Sequence, residues 1–327
     1  MEMTRRALMM GGLTGAMGLG LGGCGPRKAG ELADVTLGLS TTKEGYQNFF
    51  APAGQDRTPY RVNYAILPFD LSLQSISDGR LDAGSNFSDI PLAIWGAKMQ
   101  ESRIVAVIRA DARSRYLGLV VRKGLPARGI ADLRGKRIGY LRSSNYHYYL
   151  LRLLEEHGMT MKDIEGISLA RDMLPAAFQS GQLDAWMTQG YETAIAQSRF
   201  GGRLIEQAES GYVGNPVVVT NVNSIDDPLR NQAIGDYLLR FRRVLEWMHA
   251  HSDEWATILA AQTGVGRADY LEWRRQEKSP PQLVPVDDRA IREQAEAAAT
   301  FARAGLIEKP LDLRHFWDRR FTALLNG

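Results

Sequence analysis

The sequence predicts an α/β protein made of two successive sheet-and-helix units and a helical C-terminal tail. Strand-length apolar runs alternate with helix-like segments from Asp34 onward, and the alternation restarts near Leu117. The phrase Gly-x-Leu-Asp-Ala also occurs twice, at residues 79–83 and 181–185. Short strands that alternate with helices indicate mostly parallel sheets. The repeated phrase predicts that both units carry an equivalent element.

The first unit contains four predicted strands, separated by turns and helices. Asp70 and Asp89 are each expected to cap a helix, and Pro91 lies in a first helical turn, where its missing N–H costs nothing. The predicted strands are residues 35–40, 61–66, 81–85 and 103–108, and the predicted helices are residues 45–50, 70–77 and a segment that begins at 89.

The second unit repeats this alternation, and the chain then becomes helical almost to its end. In the first tail helix Ile234, Leu238 and Phe241 recur at helical spacing. The predicted strands are residues 117–121, 136–141, 165–169, 183–188, 203–206 and 216–220, and the predicted helices are residues 146–157, 174–180, 191–199, 228–261, 290–304 and 315–325.

The composition excludes several classes of protein. Of the 327 residues, 44% are apolar and 24% are charged, which is the usual globular mix and unlike a disordered chain or a membrane bundle. A net charge of +3 is too close to balance to indicate a nucleic-acid partner. The single cysteine, Cys24, excludes an intrachain disulfide and a cysteine-ligated metal, and the five histidines are scattered. We therefore expect no metal and no cofactor.

The first 24 residues have the layout of an export signal. A basic start is followed by a glycine-rich, weakly apolar middle and a small-residue end. The pair Arg5-Arg6 resembles a twin-arginine signal, and the end at Cys24 resembles the lipobox of bacterial lipoproteins, in which this cysteine is acylated. The alternative is a plain signal peptide that ends in cysteine. We expect a soluble mature protein that is tethered to the membrane through a lipid on Cys24.

Polar residues that follow strands are the candidate ligand contacts, because ligands of open α/β sheets bind beyond the carboxyl ends of the strands. Arg142, Ser143, Ser144 and Asn145 follow a predicted strand and open a helix. The free N–H groups and the dipole of a helix N-terminus attract anions. The alternatives are ordinary helix capping by serine or asparagine and, for Arg142, a surface charge.

At this point the chain resembles the periplasmic substrate-binding proteins of the aliphatic sulfonate, nitrate and taurine class, which feed ABC transporters. The resemblance runs through nearly the whole chain after Asp34 and is closest to the sulfonate branch. The stretch Arg142-Ser143-Ser144 resembles the basic, serine-rich loop of that branch. The stretches that carry it are ISDGRLDAGSNFSDIPLAIWGAKM, IADLRGKRIGYLRSSNYHYYLLRLLEEHGM, AAFQSGQLDAWMTQGYETAIA and EKPLDLRHFW.

The resemblance implies a two-lobe periplasmic binding protein fold of the type II kind. Lobe I would comprise residues 34–117 and 214–327, and lobe II residues 118–213, with hinge strands near 116–121 and 212–219. Hinge closure would trap a small organic anion between the lobes. It also implies an ABC permease and ATPase as partners, a periplasmic or extracytoplasmic location and a monomeric state.

The first lobe offers two groups of candidate ligand contacts. Ser40 and Thr41 end the first strand, although a simple turn is the alternative. Asn86, Phe87 and Ser88 belong to a polar loop that is one residue longer than the loop of the family. This departure leaves the donor set of the first lobe open.

The second lobe adds Tyr146, Trp186 and Gln189 as candidate contacts, and packing under the sheet is the alternative for Trp186. The sulfonate relatives carry a tryptophan and an aspartate where this chain has Gln189 and Gly190. This change indicates an altered pocket for an uncharged ligand tail. The expected wall of that pocket consists of Tyr146, Tyr148, Trp186 and Tyr191.

Several functions remain open at this stage. Similar scaffolds bind taurine, nitrate, sulfate esters and thiamine-precursor pyrimidines. A desulfinase of similar fold uses a cysteine at the end of the first strand, where this chain reads Leu39-Ser40-Thr41-Thr42. We therefore expect a binding protein and not an enzyme. A sensory protein that reports its ligand to a membrane partner is a further alternative.

Overall fold

The computed structural model describes residues 31–109, 117–208, 214–275, 280–310 and 312–327. The expected signal and lipid-anchor residue Cys24 lie outside these ranges, and the side chain of Asn86 is likewise not described. Within the described ranges, no helix is both long and apolar enough to cross a bilayer.

Two β-sheets organise the described chain. The strands are β1 (Thr36–Thr41), β2 (Arg61–Ile66), β3 (Ala83–Ser88), β4 (Ser102–Arg109), β5 (Leu117–Val121), β6 (Arg137–Tyr140), β7 (Glu165–Ser168), β8 (Ala185–Gln189), β9 (Arg203–Gln207), β10 (Pro216–Asn221) and β11 (Gln282–Val284). The first sheet has the order β11-β4-β10-β3-β1-β2, and the second has the order β7-β6-β8-β5-β9. The chain changes from the first sheet to the second between β4 and β5 and returns to the first sheet between β9 and β10.

Helices connect the strands and form the C-terminal segment. They are α1 (Phe69–Ser77), α2 (Ile90–Trp95), α3 (Asn145–Glu156), α4 (Leu174–Gln179), α5 (Tyr191–Ser198), α6 (Val222–Asp226), α7 (Pro228–Ala250), α8 (Ser252–Thr263), α9 (Arg267–Arg275), α10 (Asp288–Arg303) and α11 (Thr322–Asn326). The main core of the first sheet includes Leu37, Val105 and Phe241 of α7, and the core of the second includes Ile138 and Leu150 of α3.

Each sheet contains an inserted strand that runs against its neighbours. In the first sheet β1 is parallel to β2 and β3, whereas β10 is antiparallel to both β3 and β4. In the second sheet β6 is parallel to β7 and β8, whereas β5 is antiparallel to both β8 and β9. The inserted strands β5 and β10 are those that the chain forms immediately after it changes sheets. The predicted parallel sheets are therefore each interrupted at the point where the chain enters from the other sheet.

The two Gly-x-Leu-Asp-Ala phrases begin with the same helix end. α1 and α4 are each followed by a glycine in the left-handed region, with φ of 73° at Gly79 and 77° at Gly181. The next N–H group, of Arg80 or Gln182, returns to a carbonyl oxygen five residues earlier in the helix. This arrangement satisfies carbonyl groups that the helix end would otherwise leave unpaired.

The aspartate of each phrase then joins two strands. Asp82 N–H donates to the Gly38 oxygen at 2.7 Å, and Asp82 Oδ2 accepts the Gly38 N–H at 2.7 Å. Asp184 N–H donates to the Arg137 oxygen at 2.8 Å, and Asp184 Oδ2 accepts the Arg137 N–H at 3.1 Å. Each aspartate therefore fixes the beginning of its strand against the neighbouring parallel strand.

Several predicted boundaries differ from the structure. β3 continues through the supposed polar loop to Ser88, because this segment pairs with β10. Asp70 lies in the first turn of α1, whose N-cap is Pro68, so its predicted capping role is wrong. The predicted helix 228–261 is interrupted at His251. The short elements α9 and β11 were not predicted.

Asp89 precedes α2 but does not cap it with its side chain. Its carboxylate accepts hydrogen bonds from Asn215 N–H at 2.9 Å and from Asn215 Nδ2 at 2.8 Å. Complete burial raises the pKa of Asp89 to about 7. Asp89 was expected to cap α2, but its carboxylate instead binds Asn215, just before β10 of the first sheet.

Candidate ligand-binding site

The segment between β6 and α3 contains three of the predicted ligand contacts, a fourth, Asn145, begins α3, and the segment has an unusual backbone. Ser143 has φ of 57°, which non-glycine residues adopt rarely and at a cost of about 1 kcal/mol or more. Its N–H donates to His147 Nδ1 at 3.2 Å. Ser144 Oγ accepts the Tyr146 N–H at 3.2 Å and donates to the Leu141 oxygen at 2.7 Å. The Ser144 hydroxyl therefore caps α3, as the alternative interpretation of the sequence allowed.

The same segment faces two different surroundings. Exposed Arg142 and buried Ser143 line a cavity of about 450 Å³ with Lys98 and His147. Burial, followed by the charge of Arg142, lowers the pKa of His147 to about 4. Asn145 turns instead toward the end of β8, where its Nδ2 donates to Gln189 Oε1 at 2.8 Å. Two predicted contacts from different strand ends are thus brought together.

The end of β8 is held by a buried carboxylate that the sequence reasoning missed. Glu192 lies in the first turn of α5 with 3% of its surface exposed. It accepts hydrogen bonds from Gln189 N–H at 2.8 Å, from Tyr146 hydroxyl at 2.9 Å and from Arg171 Nε at 2.7 Å. Because Arg171 balances its charge, Glu192 can fix Gln189 and Tyr146 beside one another.

Two candidates of the first sheet, Ser40 and Phe87, lie against Gly84, and the others lie elsewhere in the sheet. A Cβ at Gly84 would lie 2.6 Å from the Phe87 ring and 3.0 Å from Ser40 Cβ, so both side chains cover this glycine. Phe87 is buried in a core cluster and lies 5.5 Å from the Phe69 ring centroid. Thr41 is buried and its hydroxyl donates to Gln47 Oε1. Ser88 pairs with Pro216 in the ladder between β3 and β10.

The four residues expected to form one aromatic wall lie in different places. Trp186 is fully buried near Phe178, with ring centroids 5.7 Å apart, which matches the packing alternative. Tyr148 stacks on Phe301 of α10 at 6.4 Å, and Tyr146 hydrogen-bonds to Glu192. Tyr191 packs on Tyr270 of α9, with ring centroids 4.9 Å apart. The expected shared wall is therefore wrong.

Two helix pairs connect the part of the protein around the first sheet with the part around the second sheet. On one side α3 meets α10, where Arg152 binds Glu296 at 3.0 Å and Arg303 binds Glu155 at 2.6 Å. On the other side α5 meets α9, where Arg199 binds Asp269 at 2.7 Å. A buried apolar cluster that includes Ile90, Tyr148, Leu151, Ala297 and Phe301 accompanies the first contact.

Neutral hydrogen-bonding groups stand at or just after the ends of three strands. Ser40 and Thr41 end β1, Asn145 follows β6, and Gln189 ends β8. Amide and hydroxyl donors suit an anion whose single charge is spread over several oxygens. Within the described ranges, no group of three or more His, Cys, Asp or Glu residues could hold a metal ion.

Comparison with known proteins gives the chain its family. The family model described as NMT1/THI5 like matches residues 72–254, more than half of the chain. An aliphatic sulfonates-binding protein of Escherichia coli (strain K12) is 27% identical over 252 residues, or 74% of each chain.

Solved structures agree on the fold. The periplasmic aliphatic sulphonate binding protein of Escherichia coli has a TM-score of 0.75 at 20% identity, covering 87% of this chain and 92% of that one. The alkanesulfonate-binding protein of Xanthomonas axonopodis pv. citri bound to MOPS has the same TM-score and identity, over 89% of this chain and 100% of that one. The chain therefore has the two-lobe periplasmic binding protein fold that its sequence predicted, and it belongs to the NMT1/THI5-like family.

Proposed function

We propose that this chain is an extracytoplasmic solute-binding protein that captures a sulfonate-type organic anion and delivers it to an ABC importer. The observation that carries the proposal is the pairing of Asn145 with Gln189 at the ends of β6 and β8. Both side chains are neutral amides, and neutral amide donors suit a weakly basic oxyanion. The named binding functions of the similar proteins point to the same ligand class.

The proposed site lies between two lobes that close by hinge motion. Lobe I comprises residues 34–117 and 214–327, lobe II comprises residues 118–213, and the hinge strands lie near residues 116–121 and 212–219. Ser40 and Thr41 approach the ligand from lobe I, and Asn145 and Gln189 approach it from lobe II. The ligand is bound and released unchanged, so the protein acts as a monomeric carrier and not as an enzyme.

A thermal-shift panel tests the ligand class. The panel contains alkyl and aryl sulfonates, taurine, sulfate esters, nitrate and a thiamine-precursor pyrimidine. At about 100 times its Kd, a true ligand raises the free energy of unfolding by about 2.7 kcal/mol. No shift with any sulfonate, or a shift only with nitrate or the pyrimidine, would overturn the sulfonate assignment.

A double variant tests the site itself. Replacing Asn145 and Gln189 together by Ala removes the proposed donors while leaving the Ser144 cap of α3 intact. We expect the ligand-induced shift to disappear with little change in the stability of the ligand-free protein. Asn326→Ala, at an exposed position in α11, is the matched amide control. Retention of the full shift in the double variant would place the site elsewhere.

We also propose that the mature protein is held at the membrane by acylation of Cys24. The signal-like segment that precedes Cys24 supports this assignment. Replacing Cys24 by Ser is expected to move the protein from the membrane fraction to the soluble fraction. Deleting the gene for this protein is expected to abolish uptake of the ligand by the cell. An unchanged membrane fraction for Cys24→Ser would contradict lipid anchoring.

A further inference from the structure

The contact between α5 and α9 lies one residue from the proposed ligand donors. Gln189, which pairs with Asn145, is followed directly by Gly190 at the start of α5. Gly190 has φ of 57°, and a Cβ there would lie 3.1 Å from Trp273 Cε2 and 3.2 Å from Trp273 Cζ2. The indole of Trp273 therefore fills the space that the absence of a side chain at Gly190 leaves. At this position, where the sequence predicts an altered tail pocket, the space beside Gly190 is occupied by the protein itself.

Aromatic neighbours hold the Trp273 ring in this position. Its centroid lies 5.4 Å from that of Trp255 in α8 and 6.4 Å from that of Tyr191 in α5. Tyr270, one turn before Trp273 in α9, packs on both Tyr191 and Trp255. Large aromatic rings packed in this way contribute both apolar burial and a defined geometry. The aromatic neighbours therefore hold the Trp273 ring in a fixed position.

Polar contacts fix the other end of the same helix pair. Asp269 of α9 accepts hydrogen bonds from Ser198 Oγ at 2.9 Å and from Arg199 Nη2 at 2.7 Å. Ser198 is the last residue of α5, so α9 is attached at both ends of that helix. A ligand tail that needed the space beside Gly190 would have to separate these contacts.

We propose that Trp273 is the end wall of the ligand site and restricts it to organic anions with compact tails. This inference rests on the proposed function, because it assumes that the anionic group binds at Asn145 and Gln189. Gly190 suits the wall, since a Cβ at this position would crowd the indole at 3.1 Å and would have to adopt the unfavourable φ of 57°. Trp273 belongs to the C-terminal helices, so a residue 83 positions after Gly190 in the sequence sets the size limit of the site.

The test compares tail length in wild type and in Trp273→Ala. Calorimetric Kd values are measured for methane-, butane-, octane- and benzenesulfonate. Wild type is expected to bind methane- or butanesulfonate at least about tenfold more tightly than octane- or benzenesulfonate, because pockets discriminate by size on this scale. Trp273→Ala is expected to improve binding of the two large compounds at least about tenfold with little change for the small ones.

Two further variants make the outcome unambiguous. Trp273→Phe keeps an aromatic ring of smaller size and is expected to give an intermediate preference even if Trp273→Ala folds poorly. Trp247→Ala removes a partly buried tryptophan of α7 and is expected to leave the preference unchanged. If wild type binds sulfonates but both Trp273 variants retain its tail-length preference, the wall assignment is wrong and the proposed function stands. If wild type binds no sulfonate, the proposed function fails first.

Discussion

The two Gly-x-Leu-Asp-Ala segments share a backbone structure but differ in the partners of their aspartates. Asp184 binds Arg137 through Nη2 at 3.0 Å and Arg122 through Nε at 3.1 Å, and both arginines belong to strands of its own sheet or directly follow one. Asp82 instead accepts hydrogen bonds from Ser224 Oγ at 2.6 Å and from Arg230 Nη1 at 2.8 Å. Those partners belong to α6 and α7.

The difference separates what the repeated phrase must do from what its surroundings add. In both sheets the carboxylate binds the backbone of the neighbouring strand, so this bond explains why the phrase occurs twice. Only in the first sheet does the carboxylate also fasten the C-terminal helices. The same aspartate therefore has a local role at Asp184 and a long-range role at Asp82.

Removing each carboxylate gives the largest expected effect. Asp82→Ala leaves the Gly38 N–H and the buried Ser224 hydroxyl without an acceptor, which we expect to lower the free energy of unfolding by about 3 kcal/mol. Asp184→Ala is expected to cost less, because Arg137 and Arg122 are 36% and 48% exposed and can turn to water. Urea unfolding of both variants measures the difference. Equal losses would contradict the long-range role of Asp82.

A smaller effect concerns the pH dependence contributed by Asp184. The hydrogen bond from Arg137 holds the pKa of Asp184 below its ordinary value. Ionised Asp184 therefore stabilises the fold fully above the unfolded pKa of about 3.9, and this stabilisation is lost as the pH falls through the lower pKa of the folded state. The stability difference between wild type and Asp184→Asn is expected to be constant from about pH 5 to 8 and to shrink below about pH 4.

Chemical denaturation across this pH range provides the measurement for Asp184. Asp56→Asn, at an exposed position, serves as the control for general charge effects. A difference between wild type and Asp184→Asn that grows toward acid would show that the sign of this linkage is wrong.

The smallest expected effect is at the two glycines, where the segments are most alike. Gly79→Ala and Gly181→Ala each force a Cβ into the left-handed region, which we expect to cost about 1 kcal/mol. The two losses should be equal, because a Cβ at Gly181 has no neighbour within 4 Å and one at Gly79 only touches Asn221. Asn at either position should cost less than Ala. Thermal unfolding checks this, and unequal losses would show that the helix ends are not equivalent.

Local patterns predicted the order of the elements well. Apolar runs and helical spacing identified the strands and helices that carry the candidate site, and the repeated phrase indicated equivalent positions in the two sheets. Phe87 was misplaced because a short polar segment conceals one buried ring in a strand. The pairing geometry with β10, which decides this, involves residues more than 120 positions away.

The site contacts depended on long-range packing that local patterns do not record. Glu192 resembled an ordinary acidic residue in a first helical turn, and its partner Arg171 lies outside any helix or strand. The contact of Trp273 with Gly190 joins α9, which packs against the core of the first sheet, to the start of α5, which follows β8 of the second sheet. Apolar runs located the strand ends, but only the packing showed which side chains meet there.

The insertion of β10 between β3 and β4 also constrains the order in which the chain assembles. The second sheet is formed by one contiguous stretch, from Leu117 to Gln207, whereas the first needs Asn221 before its central gap is filled. Contacts between residues near in sequence generally form sooner than distant ones. During synthesis the second sheet is therefore expected to become compact first, and the first sheet is completed only after β10 has been made.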